Sequence, residues 1–131
     1  MSGLLECVFD HVHYLCSDIQ AAERWFVECL GAELLGRREA RGSTTTDLLL
    51  GGAKILLRGA RQGEAIGDAG PARFGTDHLG LLVPDVDTAV QQLRQRGVEI
   101  FLEPTQVNLG LRIAYVRGPD KIRIELIQRA K

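Results

Sequence analysis

The chain contains one segment twice. Residues 9–34 read FDHVHYLCSDIQAAERWFVECLGAEL, and residues 76–100 read TDHLGLLVPDVDTAVQQLRQRGVEI. In register, Asp10 meets Asp77, His11 meets His78, Asp18 meets Asp85 and Ala22 meets Ala89, each pair 67 residues apart; Gly31 meets Gly97 after the loss of one residue. Two copies of about 65 residues are too few and too long for a stacked solenoid. A repeat of this size is a duplicated supersecondary unit, and the chain must fold as a pair of related modules.

Each copy has the same order of local signals. An apolar strand comes first, about residues 8–15 or 78–83. A helix start follows, marked by Ser17-x-x-Gln20 in a capping-box pattern in copy one and by Asp85 after Pro84 in copy two. Ile19, Ala22, Phe26 and Cys29 then line one helical face, and Val86, Ala89, Val90 and Leu93 line the other. Gly31 and Gly97 stand where a helix C-terminal glycine belongs. Three strands close each copy: about 32–39, 44–50 and 53–58, then about 98–102, 112–117 and 121–127. Gly51-Gly52 and Gly118-Pro119-Asp120 supply the corresponding turns. The expected class is α+β: two tandem βαβββ modules, 7–58 and 76–128, forming a cupped mixed sheet. Together they make a single domain over 1–131, with a Gly/Ala-rich linker at 59–75 and a loop at about 103–110.

A chain of 131 residues buries a sizeable core without metal or disulfide staples. A net charge of −1 gives no electrostatic footprint for nucleic acid, and no apolar run approaches a membrane span. No signal-peptide pattern opens the sequence. Three cysteines (Cys7, Cys16 and Cys29), an odd number with no CxxC, read as reduced thiols with small, buried, apolar side chains, and as a cytoplasmic protein.

The chemistry lies in the repeated DH dipeptides. His11 and His78 open equivalent strands and converge if the two sheets face each other about a pseudo-twofold axis. Glu125, between Ile124 and Leu126, is a carboxylate among aliphatic neighbours, costly unless paired or bound to a cation. The position matching Glu125 in copy one is Leu56. The expected metal set is therefore His11, His78 and Glu125, a two-histidine, one-carboxylate triad for one divalent ion (Fe, Mn, Ni, Co or Zn) with up to three positions open. His13 shares the face of His11, and its counterpart is Gly80. Its imidazole serves either as a general acid or base, or as a ligand in place of Leu56. The strands around the site are mostly aliphatic, with Thr44 to Thr46 as a polar patch.

The motifs DHVHYLCSDI, DHLGLLVPDV and GPDKIRIELIQ resemble the vicinal oxygen chelate superfamily of glyoxalases, bleomycin-resistance proteins and extradiol dioxygenases. The resemblance implies metal ligands at His11, His78 and Glu125, and a metal-dependent enzyme acting on a small oxygen-bearing molecule. Glyoxalase I and methylmalonyl-CoA epimerase carry a fourth ligand, Glu or Gln, where this chain has Leu56. Three-ligand members, the extradiol dioxygenases and fosfomycin-resistance thiol transferases, carry a tyrosine ten residues before the glutamate. That residue is Tyr115, a candidate catalytic group beside His13. The ligand count thus leans towards a non-haem Fe(II) dioxygenase. The alternatives are a glyoxalase- or epimerase-like lyase or isomerase, a thiol transferase, and a metal-free ligand-binding protein of the bleomycin-resistance type. The resemblance also implies a homodimer, with the modules paired within one chain or swapped between two. Trp25 and Phe26 are expected to contribute to that contact.

Overall fold

The computed structural model describes residues 5–67 and 74–130. The first module runs β1 (His11–Leu15), α1 (Ile19–Leu30), β2 (Glu33–Ala40), β3 (Ser43–Leu50) and β4 (Ala53–Arg58). The second runs β5 (Leu79–Leu82), α2 (Val86–Gln95), β6 (Glu99–Asn108), β7 (Leu111–Arg117), a 3-10 turn (Pro119–Lys121) and β8 (Arg123–Arg129). Each module builds one four-stranded mixed sheet, in the orders β1-β4-β3-β2 and β5-β8-β7-β6. The βαβββ duplication read from the sequence is therefore the architecture. Of the linker at 59–75, residues 68–73 lie outside the described residues. Among the described residues no helix is long and apolar enough to cross a membrane.

Each helix covers one face of its own sheet. Ala22, Phe26 and Cys29 are the buried side chains of α1, and Val86, Val90 and Leu93 those of α2. Alternation sends Leu48, Leu50, Ile55 and Leu57 of the first sheet into a core with Phe26. Ala114, Val116, Ile124 and Leu126 pack the second core with the α2 residues. The residues between them, including His11, His13 and Glu125, are left on the opposite face of each sheet.

Several local expectations change. The N-cap of α1 is Asp18, whose carboxylate accepts from the Ala21 N–H at 3.0 Å. Ser17 instead gives its backbone N–H to Asp120 Oδ2. Asp85 caps α2 in the same way through the Thr88 N–H. The expected loop at 103–110 is mostly strand, since β6 continues to Asn108. Its ladder with β7 shifts register between Leu102 and Thr105, on either side of Pro104. β6 is an edge strand, where a bulge accommodates a residue with no N–H to donate. Cys16 and Cys29 are buried as expected, and burial with the nearby Asp120 charge pushes the Cys16 thiol up to about 12. Cys7, by contrast, is exposed.

Trp25 joins the modules. Its indole packs against both cores. A Cβ at Gly118 would stand 3.2 Å from two of its ring carbons, so any larger residue there would press on the indole. The Arg96 guanidinium donates to the Cys29 carbonyl at 2.8 Å, a further tie between modules. Phe26 is fully buried. Phe26 therefore offers no surface to a second copy, whereas Trp25 is partly buried and packs against both modules of its own chain.

Candidate metal site divided between two sheets

The register of the parallel pairs fixes the face chemistry. On β1 and β4, His11 stands opposite Lys54 and His13 opposite Leu56. On β5 and β8, Leu79 pairs with Ile124 and Gly80 with Glu125. Leu56 and Glu125 therefore occupy equivalent places, as the sequence alignment required. One strand further in, Asp47 pairs with Leu56 and Tyr115 pairs with Glu125.

The second module brings two of the expected ligands together. His78 Nε2 lies 3.2 Å from Glu125 Oε1, while His78 Nδ1 lies 2.8 Å from Asp77 Oδ2. Two donors each about 2.1 Å from one ion stand about 3.0–3.4 Å apart across tetrahedral or octahedral edges. The pair thus has the spacing of neighbouring ligands. Asp77 fixes the ring through its other nitrogen, the arrangement that orients metal-binding imidazoles. Asp77 in turn accepts from Arg123 Nη1 at 3.1 Å. Hydrogen bonding to His78, followed by the Arg123 charge, holds the Asp77 carboxyl below its ordinary range.

The first module repeats half of this. His11 Nδ1 is 2.6 Å from Asp10 Oδ2, which leaves Nε2 to project from the sheet. The bond to His11 and then the charge of Lys54 hold the Asp10 carboxyl low. A cation, an aspartate and a histidine thus recur in order in both modules. Sequence reasoning had matched Asp10 to Asp77 without giving either a role; the signal was the repeated DH dipeptide itself.

His13 stands edge-on to His11, with ring centres 5.9 Å apart. Burial, then the charges of His11, Arg58 and Arg38, push its pKa down, which keeps the imidazole neutral near pH 7. Tyr115 packs edge-on against His78 at 5.4 Å and beside Phe101 at 5.3 Å. Burial first, then the charge of Glu125, raises the Tyr115 phenol, so it remains a proton donor. Leu56, the cross-strand partner of His13, is buried.

Within one chain the set is divided. His11 and His13 belong to the first sheet, and His78, Glu125 and Tyr115 to the second. Among the described residues no three His, Cys, Asp or Glu side chains gather around one point. The threonine patch is divided too. Thr45 lies on the histidine face, opposite Arg58, whereas Thr46 turns to the helix side, where its hydroxyl donates to Glu23. A groove of about 370 Å³ on that side, lined by Ile19, Gln20, Glu23, Arg24, Arg37, Thr44 and Thr46, is remote from the histidines. Glu23 there is already paired with Arg37.

Comparison with known proteins agrees with this architecture. The model of the glyoxalase/bleomycin resistance protein/dioxygenase superfamily matches residues 8–126. The chain belongs to that superfamily. Among its relatives, the uncharacterized protein YwkD of Bacillus subtilis is 29% identical over 121 residues, covering 91% of this chain and 94% of its own. A probable chloroplastic lactoylglutathione lyase of Arabidopsis thaliana is 30% identical over 125 residues, which is 91% of this chain but 35% of the plant protein. Of solved structures, a glyoxylase/bleomycin resistance protein/dioxygenase domain from Frankia superimposes with a TM-score of 0.78 at 26% identity, covering 97% of this chain and all of that one. Glyoxalase I from Zea mays superimposes with a TM-score of 0.75 at 29% identity, over 92% of this chain and 44% of the maize chain. This superfamily member thus spans about a third of the Arabidopsis lyase and under half of the maize enzyme.

Proposed function

We propose that the chain is a divalent-metal-dependent enzyme of the lyase or isomerase type, acting on a small substrate that presents two neighbouring oxygens. The ion would be held by His11, His78 and Glu125. The observation that carries this reading is the His78–Glu125 pair, whose donor atoms are 3.2 Å apart while Asp77 occupies the other ring nitrogen. Asp10 prepares His11 in the same way. Because these donors lie on separate sheets of one chain, the site is completed in a homodimer, where the first sheet of one copy faces the second sheet of the other. Leu15 and Leu82, both exposed at the ends of β1 and β5, supply apolar surface for that contact.

When bound, the ion supplies a Lewis acid that polarises the substrate's oxygens. The protein does the rest. Asp10 and Asp77 hold the rings, Tyr115 keeps its proton for a bond to Glu125, and Leu56 lowers the polarity under the substrate. The lyase or isomerase class is favoured over the dioxygenase because the relatives with named activities are lactoylglutathione lyases and glyoxalase I. The second reading, a non-haem Fe(II) dioxygenase, keeps its support in the two-histidine, one-carboxylate count.

The test is metal content and sedimentation of tag-free protein, beside His78→Ala. About one ion per chain, lost in the variant, together with a dimer and formation of lactoylglutathione, is the expected result. A stoichiometric iron content with oxygen consumption on catechols would move the assignment to the dioxygenase. A monomer that takes up no ion of any kind overturns both readings.

A further inference from the structure

The two modules place their second functional side chain on opposite strands. In the second module the position two residues beyond the strand histidine is Gly80, and its cross-strand partner is Glu125. In the first module those positions hold His13 and Leu56. On the parallel strand pair of each module, one donor-bearing side chain thus stands at this level, on β8 in one case and on β1 in the other.

A Cβ on Gly80 would stand 3.2 Å from Ile127 Cδ1 and 4.0 Å from Glu125 Oε1. The tight neighbour there is Ile127, and the Glu125 carboxylate stands at ordinary contact distance from such a Cβ. In the first module Leu56 is 5% exposed, while its cross-strand partner His13 is exposed. Asp47, the next residue across the sheet, accepts from Arg38 at 3.2 Å. Among the described residues no hydrogen bond ties the His13 ring. Its centre is 5.9 Å from that of His11. Two imidazoles bound to one ion through bonds of about 2.1 Å have ring centres about 4.5–6 Å apart, depending on the angle at the ion.

We infer that His13 is a fourth protein ligand, so that one ion is held by His11 and His13 from one sheet and by His78 and Glu125 from the other. This rests on the metal site proposed above. Three imidazoles and one carboxylate favour zinc, nickel or cobalt over manganese or magnesium. Held by these four residues, the ion would still be able to accept a substrate with two neighbouring oxygens.

The experiment uses the full chain with Co(II) as the probe. Affinity is read by competition with a chelator, and the number of imidazole ligands by X-ray absorption. Variants are His13→Ala, the closer-sized His13→Gln, His78→Ala, and the double change His13→Gly with Leu56→Glu, which copies the second module's pair into the first. His13→Ala and His13→Gln are expected to weaken binding about 10- to 100-fold, each with one imidazole fewer. The double variant is expected to regain most of that loss with a carboxylate in place of the imidazole. If both His13 variants bind Co(II) like the parent with the same imidazole count while His78→Ala binds none, His13 is no ligand and the three-ligand site stands. If His78→Ala also binds normally, both proposals fail together.

Discussion

The two modules share a backbone and differ where it matters chemically. At equivalent positions on the open faces, His11 matches His78 and Lys54 matches Arg123, so the cation, aspartate and histidine arrangement is kept. The next level diverges: His13 against Gly80, Leu56 against Glu125, and Asp47 against Tyr115. Duplication preserved what orients an imidazole and released what surrounds it. The cores diverged as well. The first is built around Phe26, stacked on Tyr14 and met edge-on by Trp25, whereas the second is almost wholly aliphatic.

Breaking the cores should give the largest effect. Phe26→Ala is expected to cost about 3–5 kcal/mol, more than Leu126→Ala in the second core, read from urea midpoints at fixed protein concentration. Equal losses would mean that the aromatic cluster does not anchor the first module. The orienting aspartates sharpen the comparison of the faces. Asp77→Asn and Asp10→Asn are each expected to weaken Co(II) binding about 10- to 100-fold, measured by chelator competition. A loss confined to Asp77→Asn would show that the two halves contribute unequally despite their matched geometry.

The smallest effect belongs to an ion pair found only in the first module. Arg58 forms a two-point pair with Glu64, while its counterpart in the second module is Ile127. Hydrogen bonds from Arg58 and the Arg61 N–H pull the Glu64 carboxyl from 4.5 down to about 2. A depressed carboxyl adds stability above its unfolded value and loses it as the pH falls through the folded one. Glu64→Gln should therefore lower the thermal midpoint at pH 7, with the difference fading between pH 4.5 and about 2. High salt should shrink it, since the pair is near water. A difference that persists at pH 2 would assign the effect to packing rather than charge.

Much of the fold was legible because a duplicated pattern reports on itself. The match of Asp18 to Asp85 pointed to the true cap of α1, whereas the local Ser17-x-x-Gln20 pattern misled, because Ser17 is drawn to Asp120 from the second module. The stretch at 103–110 reads as a loop in the sequence but is mostly strand, because β6 is an edge strand and tolerates Pro104. Of the site, the alignment of Leu56 with Glu125 was readable from the glycine turns, and the register of both sheets agrees with it.

The sequence by itself determined the two βαβββ units, their buried helix faces and which side chains share each strand face, because these depend on periodicities of 3.6 and 2 along the chain. Tertiary structure decided the rest. Packing of Trp25 between the cores and against Gly118 ties the two modules together, and in that arrangement, among the described residues, His11 does not join the His78–Glu125 pair in one cluster. No local pattern encodes that, since the same alternation of faces suits modules that pair within a chain and modules that meet across two.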